Sequence, residues 1–453
     1  MPRSVDAGST ATGDDAWFAR WRSVELSRID ASGTTYLDYT GAALYPESLI
    51  RRDADRLLGA VLGNPHSESV ASRQATDDLA SAREAILAFL KADPDEYSVV
   101  LTANTTAACR LVGESFGFGP QVPLILSADN HNSVNGLREF ARRRGAPVHT
   151  LPLDDELRLA APRAAPERAS GSGLVAFPAQ SNFSGVRHPL SLIAEMQASG
   201  HRVLLDAAAF VPTGRLDLSA VKPDFVTLSL YKIAGYPTGI GALVARPEAL
   251  AELARPWFAG GTVDWVTIGS SRHQFRGGPE QFEDGTPSFI AAGAVRMALA
   301  GVIYADRERL ARHLAALTGQ LLAGLSELQH SGGASLVTVH GPRDTRDRGA
   351  TVAITLRDNA GRAVPFWDVE EAAREHRIAL RGGCFCNPGC AEASFGLDAA
   401  DPCLDTLGAG FTIPGFAACL GDRAVGAVRI SLGLGSVRAD VDAVLGFLER
   451  YLS

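Results

Sequence analysis

Lysine is nearly missing from this chain. Only Lys91, Lys222 and Lys232 occur in 453 residues, so arginine supplies almost all the positive charge. No run approaches the ~18 consecutive apolar residues that a membrane-spanning helix needs. The segment Met1–Trp17 carries Asp6, Asp14 and Asp15 and has no signal-type apolar stretch. These absences lead us to expect a soluble, cytoplasmic protein with a short ragged start and no membrane partner. No basic patch offsets the formal net charge of −8 or the pI near 5.7, so nucleic acid is not an expected partner. Internal repeats and low-complexity tracts are also absent. With 46% hydrophobic residues, 46 Gly and 24 Pro, neither disorder nor a fibre fits, and the length suits one large domain or two ordinary ones.

Six cysteines are present, and five of them (Cys384, Cys386, Cys390, Cys403 and Cys419) crowd into one C-terminal stretch. Without a secretion signal, that crowding suggests chemistry or metal more than a disulfide framework. Zinc is disfavoured, because Cys384, Cys386, Cys390 and Cys403 form no C-x₂-C pair and no histidine lies nearby. Core filling by small cysteines is the other alternative, and the flanking Asn387, Pro388 and Gly389 argue instead for a loop.

From about Asp38 to Pro256 short apolar runs alternate with helical spacing. Strands are expected at Tyr97–Thr102, Val122–Ser127, Leu174–Pro178, Arg202–Asp206, Phe225–Leu230 and Ala242–Arg246. Helices are expected at Arg73–Lys91, Thr106–Phe116, Val134–Arg144 and Pro189–Ala198. This alternation implies a mostly parallel sheet covered by helices. Ala160–Gly173 is the expected long surface loop. A helical stretch from Ala291 to Gln329, interrupted near Tyr304–Asp306, leads into strands near Leu336–His340, Thr351–Leu356, Ile378–Arg381 and Val428–Ser431, with a closing helix Val441–Tyr451. The expected division is an arm over 1–30 that contributes to the small domain, a large domain over 31–300 and a small α+β domain over 301–453 with the cysteine loop.

Of the three lysines, Lys91 closes a helix and Lys222 precedes a proline. Lys232 follows the apolar strand that ends near Ser229, in a turn eased by Gly235, Gly239 and Gly241. The carboxyl ends of strands are where α/β sheets place ligands, and a desolvated lysine there can form a Schiff base with an aldehyde. A surface lysine on a glycine-rich turn is the plainer alternative. Neighbouring residues favour the chemical one. Asp206 ends an apolar strand and suits the protonated ring nitrogen of pyridoxal 5'-phosphate, although a helix-capping role is also common. Thr102-Ala-Asn-Thr-Thr106 lies between a strand and a helix, and together with Ser229 it offers hydroxyls and backbone N–H groups for a phosphate. His131 follows the next strand and could lie flat on a pyridine ring, or be merely solvated.

These residues, in this order, resemble the class V aminotransferase-like group of fold-type I pyridoxal-phosphate enzymes, nearest to the desulfurase domain of molybdenum cofactor sulfurases. The likeness runs from Tyr36-Leu-Asp-Tyr-Thr-Gly-Ala-Ala43 to the C-terminus. It is carried by Gly63-Asn-Pro-His-Ser67, Phe177-Pro-Ala-Gln-Ser-Asn-Phe-Ser-Gly185, Ser229-Leu-Tyr-Lys-Ile-Ala-Gly-Tyr-Pro-Thr-Gly239 and Gly383-Cys-Phe-Cys-Asn-Pro-Gly389. It implies an α/β fold with a seven-stranded-type, mostly parallel sheet in the large domain. It makes Lys232 the cofactor-linking lysine, Asp206 the partner of the ring nitrogen, His131 the stacking histidine and Asn182 a donor to the ring hydroxyl. Thr105, Thr106 and Ser229 become phosphate ligands. Thr262 and Thr286 resemble residues that reach a neighbouring subunit's phosphate, which implies a homodimer. Arg429 matches the arginine that grips an amino-acid carboxylate. Three positions depart from the pattern: Ala209 stands where relatives often have Gln, Tyr231 where many have His, and Ala103-Asn-Thr-Thr106 where Ser-Gly-Ala-Thr is usual.

The resemblance also selects Cys386 as a persulfide carrier that takes sulfur from L-cysteine or a related amino acid and leaves alanine. Arg381, five residues earlier, is expected to favour the thiolate and help bind substrate, with Pro388 and Gly389 forming a turn that presents the thiol. Cys384 or Cys390 could relay sulfur. Molybdenum cofactor sulfurases usually carry a further C-terminal domain, and this chain ends at Ser453 soon after the closing helix. The expected acceptor is the molybdenum cofactor, with a separate protein in place of that domain, or another small molecule. A lyase without persulfide chemistry and an inactive partner subunit are the alternatives.

Overall fold

The computed structural model describes residues 11–160, 172–397, 402–421 and 423–453. The start through residue 10 and most of the Ala160–Gly173 loop lie outside the described residues. Seven strands form the main sheet: β1 (Ser98–Thr102), β2 (Leu124–Ser127), β3 (Val148–Leu151), β4 (Leu174–Pro178), β5 (Arg202–Asp206), β6 (Phe225–Ser229) and β7 (Gly241–Ala245). Their order is β1-β7-β6-β5-β4-β2-β3, parallel except for β7, which runs antiparallel to both neighbours.

Alternation along each strand explains why these segments are apolar throughout. Val203 and Leu205 enter one core while Leu204 enters the other; Val99 and Leu101 likewise part from Val100. A sheet covered on both faces needs apolar residues at successive positions. Strand β3 was not expected from the sequence. It is a short edge strand, Val-His-Thr-Leu, and only Leu151 in it is buried.

Eight helices matter here: α1 (Ala11–Glu25), α2 (Val70–Phe89), α3 (Thr105–Ser115), α4 (Leu230–Ala234), α5 (Phe289–Tyr304), α6 (Arg307–Glu327), α7 (Pro388–Phe395) and α8 (Arg438–Leu448). Leu79 and Ile86 of α2 share a core with Val295 and Leu299 of α5, while Leu111 and Val112 of α3 pack on the opposite sheet face. Asp306 separates α5 from α6 and caps α6 through its side chain. The single helix expected over Val134–Arg144 is instead two short ones, Asn132–Asn135 and Leu137–Arg143, joined at Gly136. Among the described residues no single helix is long and apolar enough to cross a membrane.

A second sheet contains β8 (Val337–His340), β9 (Thr351–Leu356), β10 (Arg381–Gly383) and β11 (Ala427–Ser431), antiparallel in the order β8-β9-β11-β10. Leu310, Leu314, Leu317 and Leu321, spaced three or four apart along α6, pack with Val441 and Val444 of α8 in its core. Phe18 of α1 joins this core and stacks on His313 at 4.2 Å.

Cys403 and Cys419 form a disulfide between the helices Pro402–Leu407 and Ile413–Cys419. This corrects the expectation that all the crowded cysteines serve chemistry or metal. Two short neighbouring helices bring residues 16 apart in sequence to a Cα separation of 5.9 Å. Cys403 is therefore not available to the other three.

Candidate active site

The parallel strands place their carboxyl ends at one edge of the sheet. Gly241 of β7 pairs with both Thr102 and Ser229, which aligns the ends of β1 and β6. A Cβ at Gly241 would lie 2.5 Å from the Asn104 Cα, so glycine is what lets the start of α3 settle on that edge. Asn104 caps α3 by accepting from the Ala107 N–H at 3.0 Å. There Thr105 and Ser229 meet through their hydroxyls at 2.9 Å, and Thr106 meets Ser133 at 2.7 Å. A helix start ringed with hydroxyls suits an anion.

A cavity of about 210 Å³ opens beside these hydroxyls, and Lys232, Asp206, His131, Asn182 and Tyr231 line it. Asp206 ends β5 and takes the Ala208 N–H on Oδ1 at 2.9 Å. Burial raises its carboxyl above the usual carboxylate range. Burial also lowers the Lys232 ammonium from its ordinary value; Asp206 opposes the shift, while Arg429 and Arg381 add to it. His131 is held at about 4, chiefly by burial and then by the charges of Lys232 and Arg429, so its imidazole is neutral near pH 7. Its Nδ1 accepts the Ser133 N–H at 3.1 Å. A nucleophilic amine, a buried carboxylate, a neutral aromatic ring and clustered hydroxyls form the donor set that a phosphorylated pyridine aldehyde requires.

Arg429, on β11, is almost fully buried. It donates to Asp38 Oδ1 at 2.7 Å and to the Asn182 carbonyl at 3.0 Å, while its Nε is buried without a partner. Its guanidinium lies 4.7 Å from the Phe385 ring centre. Arg381 donates twice to Asp38 Oδ2, at 3.0 and 2.8 Å, so its charge faces Asp38.

The cysteine loop closes on the same region. Cys384 and Cys386 are exposed, whereas Cys390 is buried. The Asn387 N–H returns to the Cys384 carbonyl at 2.9 Å, making a turn with φ of 55° at Phe385 and 56° at Cys386. The Cys386 carbonyl accepts the Asn132 N–H at 2.7 Å, next to His131. Pro388 and Gly389 do not form the expected turn. They open α7, with Asn387 as its cap and Pro388 in the first turn, because proline suits a helix start. Cys390, expected as a possible relay, points inward and donates its thiol to Asp129 at 3.0 Å. Burial raises that thiol well above its ordinary value.

The structure thus gathers Lys232, Asp206, His131, Asn182, Thr105, Thr106 and Ser229 around one cavity. Asn182 lines it while its Nδ2 donates to the Phe385 carbonyl at 2.7 Å, tying cavity to loop. Arg429, Arg381, Cys386, Thr262 and Thr286 do not line it. Thr262 is buried with its hydroxyl on the Ala259 carbonyl, and Thr286 is within 3.4 Å of Asn64 Nδ2. Their two segments meet each other through the Gly285 N–H and the Gly260 carbonyl at 2.9 Å. Sequence reasoning missed Asp38, Asp129, His188, Ser133 and Asn387. Asp38 and Asn387 lie inside the motifs that carried the resemblance, and Ser133 closes the His131 segment; only the fold joins Asp129 to His188.

A doubly covered sheet with this constellation at its carboxyl edge, followed by a smaller antiparallel sheet, defines the fold-type I architecture. The aminotransferase class-V family model matches residues 35–444, and the chain belongs to that family. It is 35% identical to the molybdenum cofactor sulfurase of Drosophila mojavensis over 94% of this chain and 58% of that protein. It is 34% identical to the molybdenum cofactor sulfurase of Bos taurus over 94% of this chain and 51% of that protein. The chain therefore spans little more than half the length of the curated relatives it matches. Among solved structures it resembles the apo cysteine desulfurase of Thermococcus onnurineus NA1, with a TM-score of 0.76, 24% identity and coverage of 95% of this chain and 97% of that one. The cysteine desulfurase CsdA of Escherichia coli gives a TM-score of 0.75 at 21% identity, covering 96% and 98%. These likenesses establish the shared fold.

Proposed function

We propose that this chain is a pyridoxal-phosphate-dependent cysteine desulfurase that moves sulfur from L-cysteine to Cys386 and then to an acceptor. The observation that carries this reading is the bond from the Asn132 N–H to the Cys386 carbonyl. It sets an exposed thiol loop against the cavity that contains Lys232 and His131.

Lys232 would hold the cofactor, with Asp206 toward its ring nitrogen, His131 against its ring, and Thr105, Thr106 and Ser229 around its phosphate. When bound, the cofactor links covalently to amino groups and draws electrons from the substrate's Cα. Burial shifts Lys232 toward its neutral amine, the form that would attack a carbonyl and later accept the Cα proton. Arg429 lies behind the cavity lining with two nitrogens committed to Asp38 and the Asn182 carbonyl, and we assign its remaining Nε–H and its charge to the substrate carboxylate. Neutral His131 stacks without adding a positive charge beside Lys232. The Cys386 thiolate attacks the substrate sulfur, the carbon–sulfur bond breaks, and the carbon fragment leaves as alanine after protonation. The persulfide then passes its terminal sulfur to the acceptor, which we propose is the molybdenum cofactor or another small molecule.

We further propose a homodimer. Thr262 and Thr286 lie outside the cavity lining of their own chain, and Trp265, Val266 and Ile268, just after Thr262, expose 44%, 45% and 93% of their surface, which favours a covering partner. Product analysis after incubation with L-cysteine tests the reading. Alanine with protein-bound sulfur supports it; pyruvate and ammonia without bound sulfur would indicate a lyase.

A further inference from the structure

Asp129 lies two residues beyond β2, has no exposed surface and does not line the cavity. Its Oδ1 accepts from Ser181 Oγ at 2.8 Å, Asn387 Nδ2 at 2.6 Å and the Cys390 thiol at 3.0 Å. Its Oδ2 faces His188 Nε2 at 2.7 Å, both side chains being fully buried. His188 Nδ1 meets the Leu159 N–H at 3.5 Å, so the ring proton belongs on Nε2, directed at Asp129. Four donors therefore converge on one acceptor-only group, and two of them come from the cysteine loop.

We propose that Asp129 is a positioning residue for sulfur transfer, a buried latch that clamps the base of the loop presenting Cys386. The role assigned to the loop rests on the desulfurase reading; the latch itself rests on geometry alone. Asn387 carries the connection. Its Oδ1 caps α7 on the Cys390 N–H at 3.2 Å, while its Nδ2 reaches Asn182 at 3.0 Å as well as Asp129. Behind it, a Cβ at Gly389 would lie 2.2 Å from the Ala128 carbonyl oxygen, so glycine allows the loop backbone to press against the residue before Asp129.

The latch has something to hold. Phe385 and Cys386 adopt positive φ, which side-chain-bearing residues keep only where surroundings over-determine it. Both of their carbonyls are gripped, by Asn182 and by the Asn132 N–H. Release at Asp129 would free the turn to relax and move Cys386 from its line of attack, while Lys232, Asp206 and the Thr105–Ser229 hydroxyls, which make no bond to the loop, stay in place. An amide at position 129 would not substitute, because its N–H₂ group would confront one of four donors.

The test uses the holoenzyme with two variants, Asp129→Asn and Asn387→Ser. The serine retains a capping hydroxyl but is too short to reach Asp129. Labelling of Cys390 by N-ethylmaleimide in the native protein, KM for L-cysteine, cofactor absorbance and the single-turnover rate of persulfide formation on Cys386 are measured together. We expect both variants to retain absorbance and KM. Cys390 labelling should rise, and sulfur transfer should fall, each by at least about tenfold, the scale of a lost charge-assisted hydrogen bond. Cys390 that stays protected, or sulfur transfer that is unaltered while Cys390 labels faster, would overturn the proposal. Hydrogen exchange of amides 384–387 and 389–391 in the natural protein needs no variant: protection supports the latch, and exchange at unfolded-chain rates refutes it. If the natural protein forms no persulfide, the desulfurase reading fails, and Cys390 labelling still decides the latch.

Discussion

Asp38 and Arg429 form a buried ion pair at 2.7 Å, and the same carboxylate also receives two bonds from Arg381. One anion thus serves two guanidinium groups, and the cluster carries a single excess positive charge. The unpartnered Arg429 Nε lies in that cluster. A site one charge short of balance suits one amino-acid carboxylate and disfavours a neutral amine.

Arg429→Lys keeps the charge but loses the planar fork. KM for L-cysteine should rise by about tenfold or more, the scale of one lost charge-assisted hydrogen bond from the Nε–H. Steady-state kinetics checks this, with unchanged cofactor absorbance as the control.

Asp38→Ala leaves the Arg429 charge buried without its counterion. Folding stability should fall by about 3 kcal/mol, the scale of breaking a buried pair from one side. The urea midpoint would move down with little change in slope.

Much of this arrangement was legible in the sequence, and what was not has a physical cause. The apolar runs ending at Asp206 and Ser229 announced β5 and β6, because a doubly covered strand leaves a plain signature. The scarcity of lysine made Lys232 conspicuous. Strand β3 gave no such signal, since an edge strand needs little apolar surface. Asn387, Pro388 and Gly389 suggested a turn, yet the same residue types open a helix. Asp129 and His188 are 59 positions apart, and their pairing arises only when β2 and β4 lie side by side. The Cys403–Cys419 bond likewise depends on two short helices meeting.

The exposed cysteines should separate in function. Cys386→Ser is expected to retain the cofactor's visible absorbance and lose sulfur transfer. Cys384→Ser is expected to form persulfide at Cys386 still. Peptide mapping after incubation with L-cysteine distinguishes the two.

Acid should weaken the fold through its depressed histidines. His131 and His340 are each lowered from 6.5 to about 4, first by burial, then by Lys232 and Arg429 for His131 and by Arg357 for His340. Their folded values lie below the unfolded one, so as pH falls through that window the unfolded chain binds protons first and stability declines. The loss is at most about 3 kcal/mol per histidine. Urea unfolding near pH 7 and near pH 5 measures it, and His340→Gln should show a smaller decline than the natural protein.

Lys232→Ala should abolish the absorbance band of the lysine-linked cofactor and all turnover, because no other lysine lines the cavity. Lys91 pairs with Asp217 and Lys222 with Glu96. Absorbance after reconstitution with the cofactor checks this directly.

The most direct trial of sulfur transfer is a single turnover of the reconstituted natural protein with L-cysteine, followed by mass spectrometry of the Cys386 peptide and quantitation of alanine. One added sulfur atom on that peptide, with alanine in equal amount, is the outcome this account predicts. An unmodified peptide accompanied by pyruvate and ammonia would contradict it.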